Sequence, residues 1–207
     1  LSTTGLRTRD RFRHGLLGRE LATNLGLDLS GDALRSNDRN GRDRFNLGGF
    51  LGEEIPLLPE RLVLIGGARL DWTGDFDPKL LPDVAVVATP ARWLRFKGQF
   101  AGAYRAPTFD ELYHPDRGFL RGNPALRPEE AWTVNGGVEL SLEKLGPFSA
   151  FRLELAGFHR DIDESITWIL ISPRTIAPVN TGRAVATGFE VGISLDWTEL
   201  LRVSFNH

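Results

Sequence analysis

The sequence contains no cysteine and no methionine. The first absence excludes disulfides and thiolate sites and suits a protein of the cell envelope. From the second, the translation start is expected to lie elsewhere. No charged segment followed by an apolar one opens the chain, and a fresh alternating run, Val203-Ser-Phe-Asn-His207, closes it. The expectation is an internal piece of a longer protein. An excess of one charge is also missing. With 25 basic and 27 acidic residues the net charge is −2, so there is no basic field for nucleic acid. No apolar run approaches the ~18 residues that a spanning helix needs, so any passage through a membrane must be made by strands. Histidine is scarce, with His14, His114, His159 and His207 alone. No HExxH, CxxC or GxSxG motif is present. No catalytic group, metal site or resident cofactor is expected.

What the chain does have is a period of two. Leu21, Thr23, Leu25, Leu27 and Leu29 alternate with Glu20, Asn24, Asp28 and Ser30. Similar runs recur from Phe45, Leu62, Asp83, Leu94, Trp132, Phe151 and Val185, and a ninth starts at Leu201. Eight strands and the start of a ninth are therefore predicted. Residues 1–15, with Arg7, Arg9, Arg11 and Arg13, are expected to be a solvated loop. A cation-rich segment facing anionic headgroups or an anionic substrate is the rival reading. The predicted connections alternate long and short: 31–42, 58–61, 73–82, 89–92, 106–130, 144–147, 165–182 and 197–199. In an up-and-down antiparallel sheet all the long ones then share one end. Outer-membrane barrels are built so.

A soluble β-sandwich also alternates. The polar face here is unusually wet, with Arg69, Asp71, Arg95, Lys97, Glu139 and Glu190 among others. Aromatic residues sit near strand ends at Phe45, Trp72, Trp93, Tyr104, Trp132 and Trp197, where interfacial girdles belong. These features favour an all-β, antiparallel up-and-down transmembrane barrel. A soluble sandwich that binds ligands and a passive outer-membrane channel are the alternatives.

The longest interruption between strands runs from Arg105 to Glu129. Pro107, Pro115, Pro124 and Pro128 forbid a regular helix or ladder through it. Its aromatic content argues against disorder, and loops of this length are usually functional. Candidate substrate-binding residues are Arg105, Tyr113, His114, Arg117, Phe119 and Arg121, since aromatic faces and guanidinium forks suit flat, anionic or metal-chelate ligands. Phe109 is assigned to packing the loop on the rim. Asp110, Glu111 and His114 lie close in sequence, but loop carboxylates are usually solvated or bonded to backbone amides. Arg105 is expected to form a loop-fixing ion pair with Asp110 or Glu111.

Arg105-Ala-Pro-Thr-Phe-Asp-Glu-Leu-Tyr113 followed by Gly122-Asn-Pro-Ala-Leu-Arg-Pro-Glu129 resembles the paired loop signature of TonB-dependent outer-membrane receptors. Asn180-Thr-Gly-Arg-Ala184 with Gly188-Phe-Glu190 resembles a pattern on a later barrel strand of that family, and Gly67-Ala-Arg-Leu-Asp71 matches a weaker one. The resemblance runs from about Leu16 to the end. It implies a parent barrel of roughly 22 strands closed around an N-terminal plug. The plug and the C-terminal strand would lie outside these residues. It further implies uptake of a ferric siderophore, cobalamin or haem across the outer membrane of a Gram-negative bacterium, powered through the TonB complex. Arg69, Asp71, Arg95, Lys97, Glu139 and Glu190 would then face the lumen or the plug. The expected partners are outer-membrane lipid, TonB through the plug, and a small-molecule metal chelate, with no nucleic acid.

Overall fold

The computed structural model describes residues 1–16, 18–36, 39–197 and 201–206. The elements in chain order are β1 (Ser2–Leu16), β2 (Arg19–Ser36), β3 (Arg39–Leu58), β4 (Leu62–Thr73), β5 (Lys79–Ala91), β6 (Leu94–Arg105), α1 (Phe109–Tyr113), β7 (Glu129–Leu142), β8 (Ala150–Asp163), β9 (Ile166–Ser172), β10 (Thr175–Asn180), β11 (Ala184–Trp197) and β12 (Leu201–Asn206). Among the described residues, ten strands form one antiparallel sheet, each hydrogen-bonded to its neighbour in sequence except that β8 pairs with β11. The hairpin β9–β10 stands apart as its own two-stranded sheet.

Register makes the two faces explicit. Leu27, Gly49 and Leu70 are successive partners across β2, β3 and β4, and Val84, Phe100 and Val134 across β5, β6 and β7. That row is apolar and exposed: Val84 is 45 %, Phe100 41 % and Val134 44 % accessible. Among the described residues no second sheet covers it, so the sandwich alternative fails and the surface needs hydrocarbon as its solvent. From Leu62 to Trp72 the strand rises roughly 33 Å. At the ~40° tilt usual for such strands this is about the ~25 Å height of an outer-membrane apolar band. Phe45, Trp72 and Trp132 ring the loop end of that band, and Trp93 and Trp197 the turn end, all between 37 % and 54 % exposed. Tyr104, expected with them, is half-buried and its hydroxyl is shut off from solvent. Where polar groups do reach the apolar face they pair. His14 Nε2 lies 2.9 Å from Thr23 Oγ1 and 3.2 Å from Glu53 Oε1.

Several expectations are corrected. Residues 2–16 are a strand, β1, not a solvated loop. Among the described residues the sheet therefore has ten strands rather than eight and the start of a ninth. The expected loop over 31–42 is mostly strand, because β2 continues to Ser36 and β3 begins at Arg39. The loop expected over 73–82 shrinks to the five residues between Thr73 and Lys79. The interval 165–182 holds the hairpin β9–β10. Strict alternation of long and short connections is thus lost, although the two longest, between β6 and β7 and between β8 and β11, still share one end. The turn expected at 197–199 falls mostly outside the described residues. Register is irregular at Pro56 and beside Pro90, where the N–H is missing, whereas Pro82 and Pro178 keep their partners in the ladder.

Candidate functional site

The connection between β6 and β7 contains one helical turn despite its prolines. It fits between Pro107 and Pro115. Thr108 caps it: the Thr108 hydroxyl accepts from the Glu111 N–H, and the Glu111 carboxylate accepts from the Thr108 N–H at 2.7 Å. Phe109 and Leu112 are its buried side. With Pro107, Leu126, Ala177 and Pro178 they are among the most buried apolar residues of the molecule.

Arg105, at the end of β6, clamps this turn. Its Nη1 donates to Glu111 at 3.0 and 3.2 Å and its Nε to Glu129 at 2.6 Å. The expected ion pair is therefore made with Glu111, and Glu129 shares the guanidinium. The second Glu129 oxygen accepts the Ile166 N–H at 2.6 Å, which ties β9 to the same node. Burial pushes the Glu111 carboxyl up, but the Arg105 guanidinium and the Thr108 donors outweigh it and hold it below its ordinary 4.5.

Beyond α1 the chain is sewn to the hairpin. Leu120 and Ile176 form a parallel bridge: the Arg121 N–H donates to the Ile176 carbonyl at 3.1 Å and the Ile176 N–H to the Phe119 carbonyl at 2.8 Å. Gly122 passes so close under α1 that a Cβ there would strike the backbone of Leu112 and His114. Asn123 bonds forward to the Ala125 N–H and across to the Pro178 carbonyl. The Asn180 side chain accepts from the Arg127 N–H and donates to the Arg127 and Glu164 carbonyls. The Gly122-Asn-Pro and Asn180 motifs thus have a shared physical task, which is to fasten the long connection to the hairpin. Arg183, in the second motif, forks onto the buried Asp161.

One residue of this assembly escaped the sequence reading. Arg44, on β3, is only 8 % exposed. Its Nε donates to Asp75 at 2.9 Å and its Nη1 to the Pro107 carbonyl at 2.8 Å. Its guanidinium lies 4.6 Å from the Phe109 ring centroid. It therefore joins strand β3 to two connections beneath α1, β4–β5 and β6–β7. Its Nη2 and the Tyr104 hydroxyl are buried without a partner. No local pattern announces such a residue, because its partners lie 31 and 63 positions away.

The remaining loop candidates are spread over the outer surface of this cluster. Tyr113 lies beneath the Arg42 guanidinium at 4.5 Å. His114 Nδ1 lies 3.1 Å from Asp110 Oδ1, with its ring edge-on to Trp168. The Arg117 N–H donates to the Leu120 carbonyl. Phe119 is 63 % exposed. The wall candidates form a separate set on the polar face. Arg69 donates to Asp71 at 2.7 Å and to Asp28 at 3.0 Å. It reaches Asp28 by crossing β3 at Gly48, where a Cβ would collide with the guanidinium. Arg95 and Lys97 both hold Glu139, and Glu190 lines a groove with Lys97.

A wide, one-sided antiparallel sheet with an apolar outer face, a charged inner face and a knitted loop cap defines a wall segment of an outer-membrane β-barrel. The chain matches the family described as TonB dependent receptor-like, beta-barrel, over residues 2–207, and belongs to it. Members of this family are outer-membrane transport proteins of Gram-negative bacteria, not enzymes. The chain is similar to a siderophore receptor PirA of Pseudomonas aeruginosa, with a TM-score of 0.82 at 21 % identity over 99 % of this chain and 39 % of that one. Among curated proteins it is 30 % identical to a vitamin B12 transporter BtuB of Photobacterium profundum, over 61 % of this chain and 20 % of that protein. It is also 30 % identical to a hemin receptor of Yersinia pestis, over 44 % of this chain and 15 % of that protein. The chain thus spans about a fifth or less of the curated relatives it matches.

Proposed function

We propose that these residues form part of the barrel wall and the cargo-binding rim of a receptor that takes up a scarce metal chelate across the outer membrane. The cargo classes in view are ferric siderophores, haem and cobalamin. Transport is powered by TonB acting through a plug that fills the lumen, and the charged residues of the inner face, Arg69, Asp71, Arg95, Lys97, Glu139 and Glu190, border that plug. The observation that carries the reading is the rim itself. The loop between β6 and β7 is sewn to the β9–β10 hairpin over its own small core, at the end of a lipid-facing wall. Tyr113, His114, Arg117, Phe119 and Arg121 offer aromatic and cationic surface there. Arg105 serves as the clamp that fixes the loop, because its fork already holds two carboxylates.

The test is growth of a receptor-deletion strain carrying the complete receptor gene, under iron limitation with haemin or a ferric siderophore, or under cobalamin limitation. Removal of 106–128 abolishes the rescue while the protein stays in the outer membrane at its normal level. Undiminished rescue by the loop-deleted receptor rejects the rim assignment. Rescue that persists without a proton gradient identifies a passive channel instead.

A further inference from the structure

Glu53 carries a carboxylate on the apolar face of the wall. On β3 it alternates in step with Leu51 and Leu57, which are 55 % and 38 % exposed. Its ladder partners are Thr23 on β2 and Gly66 on β4. The Thr23 hydroxyl donates to Glu53 Oε2 at 2.6 Å, and His14 Nε2 lies 3.2 Å from Oε1. Among the described residues no lysine or arginine pairs with this carboxylate. Its neighbour Glu54, turned to the polar face, has Arg11 at 2.8 Å and Asn24 at 3.1 Å. The strands that frame Glu53, namely β2, β3 and β4, are each paired on both edges, so its surroundings are those of a continuous wall.

Depth decides what such a group can meet. From Phe45 to Glu53, β3 runs roughly 26 Å, which is about 20 Å of depth at the ~40° tilt of barrel strands. Phe45 belongs to the loop-end girdle. In an apolar band of ~25 Å, Glu53 therefore lies near the turn-end boundary, where charge on the lipid face costs least and headgroups begin. Away from Thr23 the wall opens. A Cβ at Gly66 would meet no atom within 4 Å, and the next side chain in that row is Val84 on β5, 45 % exposed. The β3 and β5 backbones stand about 10 Å apart across this notch. The Glu53 side chain keeps 28 % of its surface open, and its two bonds leave roughly half the acceptor sites of a carboxylate unused.

We propose that Glu53, with Thr23 behind it and the Gly66 notch beside it, holds the headgroup of an inner-leaflet phospholipid whose chemical class is ethanolamine. The inference rests on the barrel-wall assignment and on no cargo. A primary ammonium brings a positive charge and three N–H donors, so it makes a charge-assisted bond to the carboxylate. A choline headgroup has the charge without an N–H. A glycerol headgroup leaves the phosphate charge alone, which the carboxylate repels. Thr23 and His14 orient the carboxylate from the β2 side, and the missing side chain at Gly66 lets the lipid approach the sheet. A lipid held in this way is a fixed ligand of the wall rather than bulk solvent.

The test uses the complete receptor, purified in detergent and titrated with phosphatidylethanolamine, phosphatidylcholine or phosphatidylglycerol of matched acyl chains, with bound lipid counted by native mass spectrometry. The unmutated receptor retains phosphatidylethanolamine in preference to the other two. Glu53→Gln, which keeps the shape and an acceptor for Thr23, weakens that lipid roughly tenfold and leaves phosphatidylglycerol within about twofold. Gly66→Leu fills the notch without touching the carboxylate and weakens phosphatidylethanolamine to a similar extent. It decides alone if Glu53→Gln fails to fold. Equal retention of the three lipids by the unmutated receptor overturns the proposal, as does unchanged phosphatidylethanolamine binding in either variant that folds. Full competition by free ethanolamine overturns the lipid as the source of the ammonium. A second copy of the receptor that is released by Glu53→Gln overturns it in favour of a lateral contact between receptors.

Discussion

Arg44 shows how much one side chain can organise when it is buried. A guanidinium can donate to a carboxylate, donate to a main-chain carbonyl and lie on an aromatic ring at once, because it is flat and forked. Lysine offers a single point charge and no plane. Arg44→Ala therefore leaves the Pro107 carbonyl without its donor, at roughly 1–3 kcal/mol in the stability of the loop cap. The expected outcome is loss of cargo binding with the strands intact, and Arg44→Lys restores little of it. Ligand binding and barrel heat resistance, measured side by side in detergent, check this. Equal loss in both assays would mean that Arg44 supports the wall rather than the cap.

At the scale of elements, α1 depends on a charged node. The Glu111 carboxyl is held below its ordinary 4.5 in the folded loop. A lowered folded value means that the native loop prefers the ionised form. Its contribution to anchoring is complete above the unfolded value, near 4.5, and drains away as the pH falls below it. Protection of 108–114 against hydrogen exchange, taken relative to the intrinsic rate at each pH, should fall on acidification in that window, and Glu111→Gln should be poorly protected already at pH 7 and lose the acid step. An acid profile unaltered by Glu111→Gln would assign the anchoring to another group.

The elements also show what a sequence reveals and why. Strands within the apolar band were legible because one face meets hydrocarbon and the other meets water, which forces a period of two. The missed extensions of β2 and β3, around Asp32 and Asp43, have polar residues on both faces, and there the hydropathy signal vanishes although the ladder continues. In β1 the outward positions include Thr8, Asp10 and His14, so the alternation is blurred by polar residues on the side that should be apolar. The rim candidates were legible as chemistry but not as an arrangement. Arg105 and Glu111 are neighbours in sequence, whereas Asn180 with Arg127 and Arg44 with Pro107 are joined only by the fold.

For the whole molecule, the dividing surface is the outer face of the sheet. Val134 is exposed there, and an arginine placed at that site must enter the hydrocarbon. Val134→Arg should cost ~2–4 kcal/mol in refolding into lipid vesicles, whereas Asn135→Arg, one residue on and turned to the polar face, should cost little. Equal penalties at the two sites would contradict the assignment of faces.

The main-chain bridge between Leu120 and Ile176 has a consequence outside transport. These two stretches lie more than fifty residues apart in sequence yet present a single continuous surface at the loop end of the wall. Antibodies or bacteriophage tail fibres that recognise this patch would read a composite shape rather than a linear string. Synthetic peptides copied from either stretch would be poor immunogens for the living cell, and one loop could not vary to escape such recognition without straining its hold on the other.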